Sequence, residues 1–188
     1  MKKGIFAVIL LIGAVAAGLY LSNLVSWFRP VSNSGGLTVG ASIGNLAPDF
    51  EALTLDGETL HLSELRGKTV LINAFASWCG PCQAETPDLV KLAKDESGDL
   101  LVIGLNLGET LEAIETYRQD FKVPYALLPD SDGRLTEIYR PIGLPTSWFI
   151  DPEGVIRYIH IGPMTATMIQ KILDDIRASK QPDPFKSS

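Results

Sequence analysis

Residues 69–87 read TVLINAFASWCGPCQAETP, and this stretch decides the fold. Thr69 to Phe75 is a short, mostly apolar run suited to a buried central strand. Ser77-Trp78-Cys79-Gly80-Pro81-Cys82 follows, and then Leu89, Leu92 and Ala93 recur at helical spacing. Pro81 suits the first turn of a helix, where its missing N–H would have no helical partner, so Cys79 falls at the N-terminal end. Unpaired backbone N–H groups and the helix dipole favour a thiolate there, which makes Cys79 the expected exposed nucleophile. Cys82 lies inside the first turn and is more shielded. Its spacing allows a disulfide with Cys79 and lets it resolve a mixed disulfide by attacking Cys79.

These are the only two cysteines in 188 residues, which excludes a structural disulfide framework and leaves a redox pair or half a metal site. Structural zinc usually needs four Cys or His ligands, and His61 and His160 stand isolated in the sequence. Inert buried cysteines would not need a proline at the helix start. A redox pair with no metal and no cofactor beyond its own disulfide is the expectation.

Outward from this stretch, FEALTLDGETLHL carries alternating apolar residues around Asp56-Gly57, a hairpin signal. Leu100 to Leu107 is a second buried-strand run, completing a strand-helix-strand unit, and Thr110 to Phe121 reads as a helix. Tyr125 to Leu128 reads as a short extended segment and Asp132 to Tyr139 as a helix. Beyond the break at Pro145, Thr146 to Ile150 and Val155 to Ile161 are strands joined by Asp-Pro-Glu-Gly, and residues 165–178 form an amphipathic closing helix. Helices alternating with strands and ending in a hairpin and a helix predict an α/β domain with a mixed sheet. Trp148 and Phe149 fit strand packing, and His61 and His160 read as structural.

The N-terminus reads separately. Gly4 to Leu21 holds no charge, and extended to Trp27-Phe28 the apolar segment exceeds the roughly 20 residues a helix needs to cross a bilayer. Lys2 and Lys3 precede it and only Arg29 follows closely, which orients the N-terminus to the cytoplasm and the domain outside. Ala14-Val15-Ala16 has the form of a signal-peptide cleavage site, but cleavage there would leave AGLYLSNLVSWF as the mature terminus. An uncleaved single-pass anchor in the cell membrane is therefore expected. The expected organisation is an anchor over residues 1–29, a Ser/Gly/Asn-rich flexible linker over 30–45, the domain over 46–180 and a flexible tail over 181–188. After residue 45 the chain carries 13 basic residues against all 22 acidic ones, a net −9, and no basic stripe, so nucleic-acid binding is not expected.

Trp78-Cys79-Gly80-Pro81-Cys82 resembles the thioredoxin active site. With Ala47-Pro48-Asp49-Phe50, the run NAFASWCGPCQAETP at 73–87 and GLPTSWFIDPEGVI at 143–156, the chain resembles the TlpA-like and ResA-like membrane-anchored thiol-disulfide oxidoreductases. The resemblance implies a thioredoxin-like fold with an N-terminal β-hairpin extension and one transmembrane helix. It implies that Pro145 is a cis proline facing the cysteines and that Leu144 offers its backbone to an extended substrate segment. It departs from thioredoxin at Asn73, where thioredoxin has an acidic residue, so a buried base is missing there. Glu85, one turn past Cys82, resembles the acidic residue this family places near its active site, with a solvated helix glutamate as the alternative. Trp78, Gly80 and Pro81 are expected to support the site, Trp78 by packing over the redox pair.

The function expected on this basis is reduction of protein disulfides by dithiol exchange through Cys79 and Cys82, with electrons from a membrane donor. The resemblance implies apocytochrome c as one substrate. A peroxiredoxin-like thiol peroxidase is the enzymatic alternative, but the Pro and Thr that precede its cysteine are absent from residues 73–78. A redox sensor or copper-delivery protein is the non-enzymatic one. Met1, Met164 and Met168 form no convincing set of soft ligands for copper.

Overall fold

The computed structural model describes residues 37–95 and 100–178. The expected anchor, the first part of the linker and the C-terminal tail lie outside the described residues. Among the described residues, no helix is long and apolar enough to cross a membrane.

The chain enters through an antiparallel hairpin, β1 (Glu51–Leu53) and β2 (Thr59–His61), followed by a 3-10 turn at Leu62–Leu65. Gly57 closes this hairpin at φ 80°, a conformation that costs little without a Cβ. The remaining elements are β3 (Thr69–Phe75), α1 (Gly80–Asp95), β4 (Leu100–Asn106), α2 (Leu111–Phe121), β5 (Ala126–Pro129), α3 (Arg134–Tyr139), β6 (Thr146–Ile150), β7 (Ile156–Ile161) and α4 (Ala166–Ala178). Five strands form one sheet in the order β5-β4-β3-β6-β7. β4 runs parallel to β3 and β5, whereas β6 is antiparallel to β3 and β7. The mixed α/β sheet read from the sequence is therefore the one observed.

β3 occupies the centre, and its residues 70–75 are all buried. Because strand side chains alternate between faces, Val70, Ile72 and Ala74 point one way and Leu71, Asn73 and Phe75 the other. The first set packs with Trp148, Ile150, Leu135 and Tyr139, and with Phe50 and Leu62 of the N-terminal extension. On the opposite face Leu71 and Phe149 pack against Leu89 and Leu92 of α1 and Ile169 and Leu173 of α4. Asn73 thus faces the layer that contains α1.

Residues 37–45, expected as the last part of the linker, are among the described residues and make backbone hydrogen bonds to the domain. Gly44 N–H donates to the Ile156 carbonyl at 2.8 Å and Ile156 N–H to that of Asn45 at 2.9 Å, so this segment is pinned to the head of β7. The composition is loop-like, yet its backbone groups find partners in the strand.

Candidate active site

Cys79 and Cys82 are joined in a disulfide at the head of α1, with their Cα atoms 5.2 Å apart. The Cys79 carbonyl accepts the first helical bond, from Gln83 N–H at 3.0 Å, and its Sγ accepts from Cys82 N–H at 3.2 Å. Cys79 is therefore the N-cap, its sulfur standing where a Ser or Asp oxygen would take the same donor. In the reduced protein this N–H and the helix dipole favour the thiolate on Cys79 over Cys82. Cys79 was expected to be the exposed sulfur. In the disulfide it keeps 5% exposure against 1% for Cys82, because Phe75, Ile114, Tyr117 and Leu127 enclose both. Gly80 and Pro81 are exposed on the first turn. Trp78, expected to pack over the redox pair, is 73% exposed, so most of its ring surface faces solvent.

The Leu144–Pro145 bond is cis, as the resemblance implied, and Pro145 is buried. Leu144, half-buried, packs against the cluster that holds the two cysteines. The loop before β6 is in this way brought to the disulfide.

Glu85 is not a solvated helix residue. It is 2% exposed, and its carboxylate accepts from Asn73 Nδ2 at 2.7 Å and from Met164 N–H at 2.9 Å. Asn73 Nδ2 also donates to Ser147 Oγ at 3.0 Å. Burial pushes the Glu85 carboxyl up to about 7, and the Met164 and Asn73 hydrogen bonds only partly oppose that shift. The position of Asn73 does lack a base of its own, but the conclusion that no buried base sits there fails. A buried carboxyl comes from α1, twelve residues later, and Asn73 is its donor.

Sequence reasoning missed three further participants. Thr86 Oγ1 donates to the Cys82 carbonyl at 2.7 Å and hydrogen-bonds the Tyr117 hydroxyl, whose pKa burial raises. Glu109, just beyond β4, accepts from Ser77 N–H at 2.6 Å and from the Ser77 hydroxyl. No local pattern marks Glu109; only the parallel pairing of β3 and β4, which brings their C-terminal ends together, could have suggested it. His61 lies on β2, 4.0 Å from Glu51, and His160 on β7 beside Ser147. Among the described residues, no group of three His, Cys, Asp or Glu is placed to hold a metal ion.

The sequence model of the AhpC/TSA family matches residues 43–159, which span the hairpin, the cysteine pair and Pro145. This chain belongs to the AhpC/TSA family. Within that family it is 34% identical over 139 residues to the thioredoxin-like protein YneN of Bacillus subtilis (strain 168), covering 72% of this chain and 81% of YneN. It is 31% identical over 137 residues to the thiol-disulfide oxidoreductase ResA of the same strain, covering 72% of this chain and 76% of ResA. The crystal structure of a thioredoxin family thiol:disulfide interchange protein from Chlorobium tepidum TLS superposes with a TM-score of 0.64 at 28% identity, covering 69% of this chain and 94% of that one. The resemblance read from the cysteine motif and its flanking segments is borne out at the level of the family.

Proposed function

We propose that this AhpC/TSA family member is a thiol-disulfide oxidoreductase that reduces protein disulfides through Cys79 and Cys82. The observation that carries the reading is the disulfide at the head of α1, with the Cys79 sulfur in the N-cap position and facing Cys82 N–H. In the reduced protein the Cys79 thiolate attacks a substrate disulfide. That S–S bond breaks, a Cys79–substrate disulfide forms, and one substrate sulfur leaves as a thiolate that takes up a proton. Cys82 then loses its proton and attacks Cys79 Sγ. The second substrate sulfur leaves and the Cys79–Cys82 disulfide, the state seen here, is restored. Two electrons pass to the substrate, so a dithiol donor must reduce the pair again.

Glu85 suits the second step, because a carboxyl titrating near 7 can accept the Cys82 proton at neutral pH and return it later. The backbone of Leu144, beside cis-Pro145, is our choice for binding an extended substrate segment, and Trp78 offers an exposed apolar surface next to the reacting sulfur. By resemblance, haem-attachment thiols of an apocytochrome c are a fitting substrate, and a membrane protein carrying electrons across the bilayer a fitting donor. The charge-free segment at 4–21, preceded by Lys2 and Lys3, supports a single-pass anchor holding the domain on the extracytoplasmic side.

The test is reduction of a disulfide-bonded model protein by the purified chain with dithiothreitol as donor. Cys79→Ser should abolish turnover, and Cys82→Ser should stop at a trapped mixed disulfide. Trapping by Cys79→Ser but not by Cys82→Ser would reverse the two roles, and turnover unaffected by either would end the reading. A reduction potential near −270 mV supports a reductant, whereas one near −120 mV marks an oxidant.

A further inference from the structure

Resting on the reading of Cys79 as the attacking thiol, we propose that Glu109 is a positioning residue for it, holding the Ser77-Trp78 turn so that the sulfur keeps its N-cap geometry. Ser77 stands two residues before Cys79, and each of its polar groups is engaged. Its N–H and hydroxyl both donate to the Glu109 carboxylate, and its carbonyl accepts from Gln83 Nε2 at 2.6 Å. The turn is therefore gripped from α1 on one side and from the loop after β4 on the other.

Glu109 is itself fixed. Asn106, fully buried at the end of β4, donates from Nδ2 to Glu109 Oε2 at 2.6 Å and accepts Glu109 N–H at 3.1 Å on Oδ1. A continuous chain of hydrogen bonds thus runs from the sheet through Asn106 and Glu109 to the turn before Cys79. Beside the helix dipole, the Cys79 sulfur has the Cys82 N–H as its donor, and hydrogen bonds weaken steeply when misaligned. Holding Ser77 holds that alignment.

Two effects of Glu109 on the thiolate have opposite signs, which makes the role testable. As a charge it disfavours a neighbouring thiolate, so its removal would lower the Cys79 pKa. As a clasp it favours the thiolate, so its loss raises the Cys79 pKa. The three donors that converge on this carboxylate already offset its charge, and the clasp is the larger effect.

The experiment follows alkylation of Cys79 by iodoacetamide against pH in the full-length chain, in a Cys82→Ser background so that one thiol reports. Glu109→Gln, Glu109→Asp and Ser77→Ala should each move the alkylation midpoint upward by about half to one unit and slow alkylation below the midpoint by roughly 3- to 10-fold. Glu109→Asp keeps the charge and Ser77→Ala keeps the carboxylate, so a shared upward shift isolates positioning. A midpoint that falls in Glu109→Gln assigns the effect to charge and overturns the proposal. A lowered melting temperature with an unmoved midpoint makes Glu109 a structural clamp only, which also overturns it. If Glu109→Gln fails to fold, Ser77→Ala carries the same readout. A midpoint at the ordinary thiol value of about 8.5 in the parent Cys82→Ser chain leaves no favoured thiolate to position and overturns this proposal, as does a depressed midpoint that no variant moves, while the turnover assay of Cys79→Ser tests the oxidoreductase reading separately.

Discussion

Both donors to the Glu85 carboxylate, Asn73 and the Met164 N–H, are neutral, and their combined effect falls short of what the carboxylate loses by leaving water. The folded carboxyl therefore titrates at about 7, against 4.5 when unhindered. Between those values the folded state keeps a proton that the unfolded chain has released. Stability contributed by protonated Glu85 is thus complete below pH 4.5 and is lost as pH rises through 7, by about 3 kcal/mol in all. Glu85→Gln should remove that slope, which urea unfolding of the oxidised protein at several pH values would measure. A slope of equal size in the variant would show that another group titrates in this window. The same substitution should slow resolution of the mixed disulfide and flatten its pH dependence near neutrality. Resolution at the wild-type rate at every pH would leave Glu85 a purely structural carboxylate.

At the scale of elements, α1 does more than present the cysteines. Its Glu85 and Asp88, one turn apart, accept Met164 N–H and Ala166 N–H, so the active-site helix holds the chain leading into α4. α2 is capped by Thr110, whose Oγ1 accepts from Ala113 N–H at 3.3 Å. Thr110→Ala should cost about 1 kcal/mol of stability, the usual value of an N-cap, and thermal unfolding would register it. Gly104 in β4 lies beneath the cysteine cluster, where an added Cβ would stand 2.5 Å from Leu127 Cδ2 and 3.1 Å from Phe75 Cε1. Gly104→Ala should therefore destabilise by about 1–3 kcal/mol through overpacking. An unchanged melting temperature would mean that Leu127 rotates away freely.

Across the whole molecule, what the sequence made legible was whatever is encoded locally. The runs at 69–75 and 100–107 are punctuated by turns, and a strand buried on both faces has to look like that. The cysteine pair was equally plain, because strand, motif and proline are contiguous. The partnership of Asn73 with Glu85 was not, since it requires knowing which face of β3 lies under α1. Ser147 and Met164 join the same group from 74 and 79 residues away, and no spacing rule reaches that far. The 73% exposure of Trp78 was not legible either, because it depends on how the turn before α1 sits against the rest of the fold. The proposed anchor is tested by washing membranes with carbonate: the chain should stay with the lipid, and a soluble form beginning near Ala17 would identify a cleaved signal instead.

The central position of β3 bears on biogenesis. β3 pairs with β4, which follows soon after, but also with β6, whose Ser147 is made 74 residues later. During synthesis Cys79 and Cys82 exist well before the segments that enclose them and that lift the proton affinity of Glu85. With no third cysteine in the chain, early oxidation has one intramolecular outcome and cannot misconnect. The nascent thiol pair can close on itself at any stage, but the buried carboxyl with its raised proton affinity comes into being only when the last third of the polypeptide has docked.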